Sequence, residues 1–212
     1  MIVPEFPVYI FDVDGTLTDS AVDICSSVAQ VLEKYGLPAQ THKLLQSYIG
    51  LHLEALFRDL DSGITKERSD AMIAYYRAIY HAREHNATRL YEGVPEMLAG
   101  LPGRKSTATT KGTPATKVIL EKFGVIHHFE HVQGTDGFPA KPEPDVILKT
   151  IELFGVRPAD CLFIGDSAAD VEAGKRAGVK VCAVSYGYGN HAQMRSLQPD
   201  YWIDTPTSLL PR

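Results

Sequence analysis

Cysteine is scarce in this sequence, which argues against a structural zinc site. The chain has 212 residues, of which only Cys25, Cys161 and Cys182 are cysteine. Three is an odd number, and the spacing matches no zinc-binding pattern. Cys161 and Cys182 lie inside apolar runs, so we interpret them as small buried residues of the core.

Long apolar runs and clustered positive charge are also lacking. No apolar run approaches membrane-spanning length, and no basic stretch followed by an apolar one opens the chain. We therefore expect a cytoplasmic protein without a membrane partner. The formal net charge is −5 and lysine–arginine runs are missing, so no nucleic-acid partner is expected either. A mildly acidic protein that binds anions must concentrate positive charge locally, and a bound metal ion is one way to do so.

What the sequence does contain is an alternation of apolar runs and amphipathic segments, which predicts an α/β fold. Strands alternating with helices imply a parallel sheet that is covered on both faces. The segments predicted as strands are Val8–Phe11, Lys105–Thr109, His131–Gln133, Cys161–Ile164, Val179–Val184 and Tyr201–Ile203. Helices are predicted from about 114 to 124, from 146 to 154, and from just after 166 to 178.

The stretch between the first strand and about residue 85 is predicted to be helical only. Ser20 and Asp23 have the spacing of a capping box that opens a helix, and Gly36 is suited to end it. Three further stripes of apolar residues at helical spacing follow, and no convincing strand interrupts them. These helices predict a small helical unit inserted after the first strand.

Four polar clusters fall at the predicted carboxyl ends of strands, where parallel sheets bind their ligands. They are Asp12-Val13-Asp14-Gly15-Thr16, Thr109-Thr110-Lys111-Gly112-Thr113, Lys141-Pro142-Glu143-Pro144 and Gly165-Asp166-Ser167-Ala168-Ala169-Asp170. Each residue alone is compatible with a turn, a helix cap or a solvated surface charge. Together, hard oxygen ligands, a hydroxyl before a helix start and one lysine suit Mg²⁺ and a phosphate.

With these motifs, the sequence resembles the haloacid dehalogenase superfamily, and within it the phosphoglycolate-phosphatase-like branch. The resemblance spans almost the whole chain and includes Tyr186-Gly187-Tyr188-Gly189-Asn190. It implies a Rossmann-like, doubly wound parallel sheet with an inserted all-helical cap. The implied catalytic core comprises residues 1–17 and 90–212, and the implied cap comprises residues 18–89.

The resemblance also implies roles for individual residues. Asp12 is the expected nucleophile, Asp14 the general acid and base, and Lys141 a third catalytic residue that orients Asp12. Substrate binding is expected from Thr16, Thr109, Thr110 and Lys141. The candidate Mg²⁺ ligands are Asp12, Asp14, Asp166 and the backbone carbonyl of Val13, and the supporting residues are Asp170 and Ser167.

One motif departs from the family pattern. The second motif usually ends a strongly apolar strand, whereas here the approach is Gly103-Arg104-Lys105-Ser106-Thr107-Ala108. Ser106 or Thr107 would therefore be the phosphate ligand in place of Thr109 if the strand ended earlier.

The function implied by the resemblance is Mg²⁺-dependent hydrolysis of a small phosphorylated metabolite through an aspartyl phosphate on Asp12. Two alternatives stay open: a phosphosugar mutase of the same family and a phospho-accepting regulatory module without turnover. Asp14 and the helical insert count against the module, and Asp14 also counts against a dehalogenase or phosphonatase. For a phosphoglycolate-like substrate, His52 and Arg58 are candidates to bind the carboxylate from the cap. The sequence predicts no oligomeric state.

Overall fold

The computed structural model describes residues 2–211, in which strands and helices alternate as the sequence predicts. The strands are β1 (Val8–Phe11), β2 (Thr18–Asp19), β3 (Arg89–Leu90), β4 (Arg104–Thr107), β5 (Cys161–Gly165), β6 (Lys180–Val184) and β7 (Tyr201–Ile203). The helices are α1 (Ala21–Lys34), α2 (His42–Gln46), α3 (Leu53–Leu60), α4 (Lys66–Ala82), α5 (Val94–Gly100), α6 (Thr113–Lys122), α7 (Asp145–Phe154), α8 (Ala168–Ala177) and α9 (His191–Ser196).

A parallel sheet with the strand order β4-β1-β5-β6-β7 forms the centre of the molecule. Alternate residues of β1 belong to two different hydrophobic clusters, because successive side chains of a strand point to opposite faces. Tyr9 and Phe11 pack with α5 on one face, whereas Val8 and Ile10 pack with α7 on the other. The predicted doubly wound α/β fold is therefore confirmed.

The polar character of β4 is explained by its place at the edge of the sheet. Lys105 is buried, but its ammonium donates to the carbonyls of Leu101 and Gly103 at 2.6 and 3.0 Å. Thr107 Oγ1 donates to the carbonyl of Gln133 at 3.0 Å. An edge strand needs fewer apolar side chains than a central one, and its polar groups find partners in the adjoining loops.

Some predicted elements differ from the observed ones. His131–Gln133 is not a strand: only an isolated bridge joins His131 to Ser106. The short antiparallel pair of β2 and β3 was not predicted, nor were α5 and α9. These elements contain two to seven residues, too few to establish a clear hydrophobic period.

Helices α1 to α4 lie between β2 and β3 and share a hydrophobic cluster of their own. That cluster is built around Val28, Leu32, Phe57, Met72 and Tyr80, and no residue of the parallel sheet belongs to it. We therefore keep the division into a core of residues 1–17 and 90–212 and a cap of residues 18–89 as a proposal. None of the helices formed by residues 2–211 combines the length and apolar character needed to cross a membrane.

Candidate active site

Three buried carboxylates meet at the carboxyl edge of the sheet. Asp12 follows β1, Asp166 follows β5, and Asp170 lies in the first turn of α8. Each offers a carboxylate oxygen, and these three oxygens lie within 4.8 Å of one another. The pairing of β1 with β5 places the first two together, because parallel neighbours end at the same edge of the sheet.

Lys141 is enclosed by two of these carboxylates. Its Nζ lies 2.8 Å from Asp12 Oδ1 and 2.5 Å from Asp170 Oδ1, and its side chain is fully buried. Burial favours the neutral amine, yet the two carboxylates together raise the pKa of Lys141 above its usual range. The ammonium is therefore a permanent positive charge beside Asp12.

The negative charges of this cluster exceed the positive ones. Burial raises the pKa of Asp12 to about 6 against the lowering effect of Lys141. Burial, with Asp170 and Asp12 nearby, holds the pKa of Asp166 well above its usual range. Buried carboxylates whose oxygens lie within 4.8 Å of one another are unfavourable unless cations compensate their charge. One ammonium does not balance three carboxylates, so a divalent cation fits here, and a set of oxygen ligands suits Mg²⁺.

Asp166 is held in place by two hydrogen bonds and by two glycines that pack directly against its carboxylate. Thr16 Oγ1 donates to Asp166 Oδ1 at 3.2 Å, and the backbone N–H of Tyr188 donates to Oδ2 at 2.7 Å. A β-carbon added at Gly15 or Gly187 would collide with this carboxylate. The predicted substrate-binding role of Thr16 is not supported, because its hydroxyl is bound to Asp166 and it does not line the cavity.

Asp170 and Ser167 form a capping box at the start of α8. Ser167 Oγ accepts from the N–H of Asp170 at 3.2 Å, and Asp170 Oδ2 accepts from the N–H of Ser167 at 2.9 Å. The same carboxylate pairs with Lys141 through its other oxygen. The helix start therefore fixes the position of Asp170, and Asp170 in turn helps to fix Lys141.

Asp14 lies two residues beyond Asp12 but has different partners. Ser20 Oγ donates to Asp14 Oδ1 at 2.7 Å, and Lys111 Nζ lies 3.1 Å from Asp14 Oδ2. Lys111 also donates to the hydroxyl of Tyr80, on cap helix α4, at 3.1 Å. The side chain of Asp14 thus lies outside the group of three carboxylates and faces the cap.

The backbone carbonyl of Val13 is not available as a metal ligand. It accepts from the N–H groups of Leu17 and Thr18 at 2.9 Å each and from Thr18 Oγ1 at 3.2 Å. These bonds close the turn after β1 and occupy both lone pairs of the oxygen. The prediction that Val13 binds the metal is therefore wrong in this geometry.

A cavity of about 600 Å³ lies between the cap and the carboxyl edge of the sheet. Asp12, Asp14, Thr109, Thr110 and Lys111 line its core side. Its cap side is lined mainly by apolar and aromatic residues, among them Ile24, Val28, Leu45, Ile49, Leu56, Ile73 and Tyr76. A space of this size suits a small substrate and excludes a folded protein.

Of the three candidates in the second motif, Thr109 is the one that reaches the cavity. Ser106 Oγ instead contacts His131 and Thr150, and Thr107 Oγ1 is bound to Gln133. Thr110 lines the cavity, but its hydroxyl donates to the carbonyl of Gly50 in the cap at 2.7 Å. Thr110 therefore joins the core to the cap.

The two cap residues expected to bind a carboxylate lie in different places. His52 lines the cavity, but its Nδ1 accepts from the N–H of Glu54 and caps α3. Arg58 does not line the cavity; its side chain is 63% exposed and pairs with Glu54. The prediction for Arg58 is therefore wrong, because it lies on the solvent side of α3.

Sequence reasoning left three residues of the site without a role: Ser20, Lys111 and Tyr188. Lys111 and Tyr188 stand in quoted motifs, and Ser20 stands in the capping-box pattern. Their roles follow from their contacts in the folded chain: Ser20 and Lys111 hold Asp14, and the N–H group of Tyr188 holds Asp166. Their position inside polar motifs was the only signal in the sequence.

The chain is similar to known proteins in both sequence and structure. A family model of haloacid dehalogenase-like hydrolases matches residues 9–184. A phosphoglycolate phosphatase of Nitrosococcus oceani is 33% identical, over 92% of this chain and 91% of its own. One from Aquifex aeolicus is 31% identical, over 96% and 94%. A crystal structure of a predicted phosphatase from Clostridium acetobutylicum superimposes with a TM-score of 0.89 at 26% identity, covering 97% of each chain.

Proposed function

Since the chain belongs to the haloacid dehalogenase-like hydrolases, we propose that it is a Mg²⁺-dependent phosphatase acting on a small phosphomonoester such as phosphoglycolate. The observation that carries this proposal is the position of Asp12. Its carboxylate is buried, contacts Lys141 at 2.8 Å, and lines the cavity beneath the cap. The names of the similar proteins support phosphoglycolate as the first substrate to test.

We propose that the metal is held by the side chains of Asp12 and Asp166, whose carboxylate oxygens lie within 4.8 Å of one another. Asp170 lies near enough to support the site, although its oxygens are already shared with Lys141 and Ser167. Mg²⁺, when bound, neutralises and orients the phosphate oxygens.

Asp12 attacks the phosphorus atom and forms an aspartyl phosphate, which divides one difficult displacement into two easier ones. The attack brings a carboxylate towards a dianion, so positive charge is required in the site. Lys141 supplies one such charge, and Thr109 supplies a hydroxyl in the cavity wall. Water then attacks the aspartyl phosphate and releases inorganic phosphate.

Asp14 serves as the general acid and then as the general base. Its carboxylate lines the cavity and is oriented by Ser20 and Lys111. In the first step the protonated form donates to the leaving ester oxygen, and in the second step the carboxylate accepts a proton from water. A regulatory module that only stores phosphate would need neither step.

The proposal is tested by steady-state assays of phosphoglycolate and p-nitrophenyl phosphate with Mg²⁺ and with excess chelator. We expect turnover only with the metal, and background activity for Asp12→Asn. Ca²⁺ is expected to inhibit, because its larger and looser coordination shell misplaces the nucleophile. Full activity in chelator, or an active Asp12→Asn protein, would contradict the proposal. Conversion of β-glucose 1-phosphate to glucose 6-phosphate would identify a phosphosugar mutase instead.

A further inference from the structure

Lys111 is a buried cation in the cavity wall whose contacts with Asp14 and the cap leave part of its hydrogen-bonding capacity unused. Its side chain is only 8% exposed, and its Nζ lies 3.1 Å from Asp14 Oδ2 and 3.1 Å from the hydroxyl of Tyr80. A lysine ammonium has three N–H donors. Two of them are used by these partners, so one remains for a ligand in the cavity.

Lys111 is not the only group that orients Asp14. Ser20 Oγ already donates to Asp14 Oδ1 at 2.7 Å, and Asp14 is itself buried between core and cap. Burying an ammonium is costly unless a carboxylate compensates it, and Asp14 supplies one such group. One buried ammonium can also serve two carboxylates, as Lys141 does with its two carboxylate partners, so the remaining N–H of Lys111 suits a second anionic group from a ligand.

A second polar group in the same part of the cavity also lacks a partner. His85 lines the cavity and is 3% exposed, and its ring lies 4.9 Å from that of Tyr80 between centroids. Within residues 2–211, its buried Nδ1 has no hydrogen-bond partner. Buried polar atoms are normally paired, so this atom also points to a ligand that the cavity receives.

From these contacts we propose that Lys111 binds a carboxylate that the substrate carries next to its phosphate ester. This inference rests on the proposed phosphatase function and names the residue that selects a substrate with a carboxylate beside its phosphate ester. Asp14 protonates the ester oxygen, and Lys111 Nζ lies 3.1 Å from Asp14 Oδ2. The ester oxygen and the ammonium therefore contact the same carboxylate. In a two-carbon substrate the carboxylate oxygens lie about 3 Å from the ester oxygen, as ordinary bond lengths require. Such a group reaches the free N–H of Lys111.

The experiment compares two substrates that differ in this one group, phosphoglycolate and 2-hydroxyethyl phosphate, in the full-length Mg²⁺-loaded protein. The measured quantity is the ratio of their kcat/KM values. For Lys111→Met we expect the ratio to fall by about 10- to 100-fold, the usual effect of losing a buried charge-assisted hydrogen bond. Most of the change should appear as a higher KM for phosphoglycolate.

Two variants serve as controls. Lys111→Arg keeps the cation and should retain most of the preference, which also reveals whether the site tolerates substitution. Arg77→Met removes a different cation of the cavity wall, from an exposed position on α4. It should change the ratio by less than about twofold, because its exposed charge is screened by solvent. A substrate one methylene longer, 3-phosphooxypropionate, should lose much of the preference in the wild type.

The outcomes separate this inference from the proposed function. An unchanged ratio for Lys111→Met would overturn the carboxylate site, while the phosphatase would stand. If the ratio is unchanged because both substrates lose activity equally, Lys111 is a positioning residue for Asp14. Failure of the wild type to hydrolyse p-nitrophenyl phosphate or either ester would overturn the proposed function and the carboxylate site together.

Discussion

Asp12 and Asp14 are two residues apart and have separate surroundings, which suits them to different tasks. Asp12 faces Lys141 and the other buried carboxylates, whereas Asp14 faces Ser20, Lys111 and the cap. Gly15, with a φ of +93°, allows the sharp turn after them and passes close to Asp166. One short loop therefore carries a nucleophile towards the metal and an acid towards the leaving group.

Replacement of Asp14 by Asn should affect poor leaving groups most. The alkoxide leaving from phosphoglycolate needs a proton, so Asp14→Asn should lower its kcat by about 100-fold or more, as general acids contribute. The nitrophenolate leaving group is stable without a proton, so its release should suffer less. Steady-state kinetics with both substrates measures the difference, and equal losses would count against the acid role.

Removal of the buried ammonium at Lys141 should destabilise the metal-free protein. Lys141→Met leaves Asp12 and Asp170 as uncompensated buried carboxylates, and breaking a buried ion pair in this way costs about 3 to 5 kcal/mol. Urea unfolding in chelator measures the change. Asp170→Asn, which keeps one carboxylate on the lysine, should cost less. A Lys141→Met protein as stable as the wild type would mean that the pairs contribute little.

At the scale of elements, the turn between β6 and α9 shapes the metal site through a glycine. A β-carbon at Gly187 would strike Asp166, so Gly187→Ala should displace this carboxylate. We expect the Mg²⁺ concentration for half-maximal activity to rise about tenfold or more, since loss of ligand support typically has this effect. Gly63→Ala, at a roomy position in the cap, is the matched control. Unchanged Mg²⁺ dependence for Gly187→Ala would show that the carboxylate has space to move.

The accuracy of the sequence-based prediction of each element depends on the length and burial of that element. The central strands β1, β5 and β6 are fully or mostly buried, so their apolar runs identify them. The segment at His131 was misassigned because it forms only a single bridge to the edge strand β4. The carboxylates after β1 and β5 were expected to meet because parallel strands share an edge. The partner of Lys111, Tyr80, lies 31 residues earlier on a cap helix, and no local pattern connects them.

At the scale of the whole molecule, the cap and core are joined by polar contacts around the cavity. Thr110 bonds to Gly50, Lys111 to Tyr80, and the hydroxyl of Tyr188 accepts from the N–H of Ser20 at 2.6 Å. Two of these contacts, those of Thr110 and Lys111, lie in the wall of the cavity. We expect the cap to close over a bound substrate and exclude water, which would strengthen electrostatic interactions inside.

The buried carboxylates should make the stability of the metal-free protein depend on pH. The pKa of Asp12 is about 6 in the folded state, compared with 3.8 for an ordinary aspartate. Between these values the folded protein holds a proton that the unfolded chain has released. The free energy of unfolding should therefore fall as pH rises from about 4 to about 6, by roughly 2 kcal/mol from Asp12 alone. Asp166, whose pKa is also raised by burial, should continue this decline at higher pH.

Urea unfolding in chelator at several pH values measures this dependence. Mg²⁺ should restore stability near neutral pH and have little effect near pH 4, where protons compete for the same oxygens. Asp12→Asn removes one of the titrating groups and should reduce the fall in stability between pH 4 and 6. Stability that rises through this pH range in the metal-free protein would contradict the electrostatic account of the site.

The central claim is that phosphate passes from the substrate to Asp12. Its most direct test is to mix the Mg²⁺-loaded protein with phosphoglycolate, quench with acid during turnover, and map phosphorylated peptides by mass spectrometry. The account predicts a phosphoryl group on Asp12 that is absent in chelator and in Asp12→Asn. A phosphoryl group on any other residue, or steady turnover by Asp12→Asn, would contradict it.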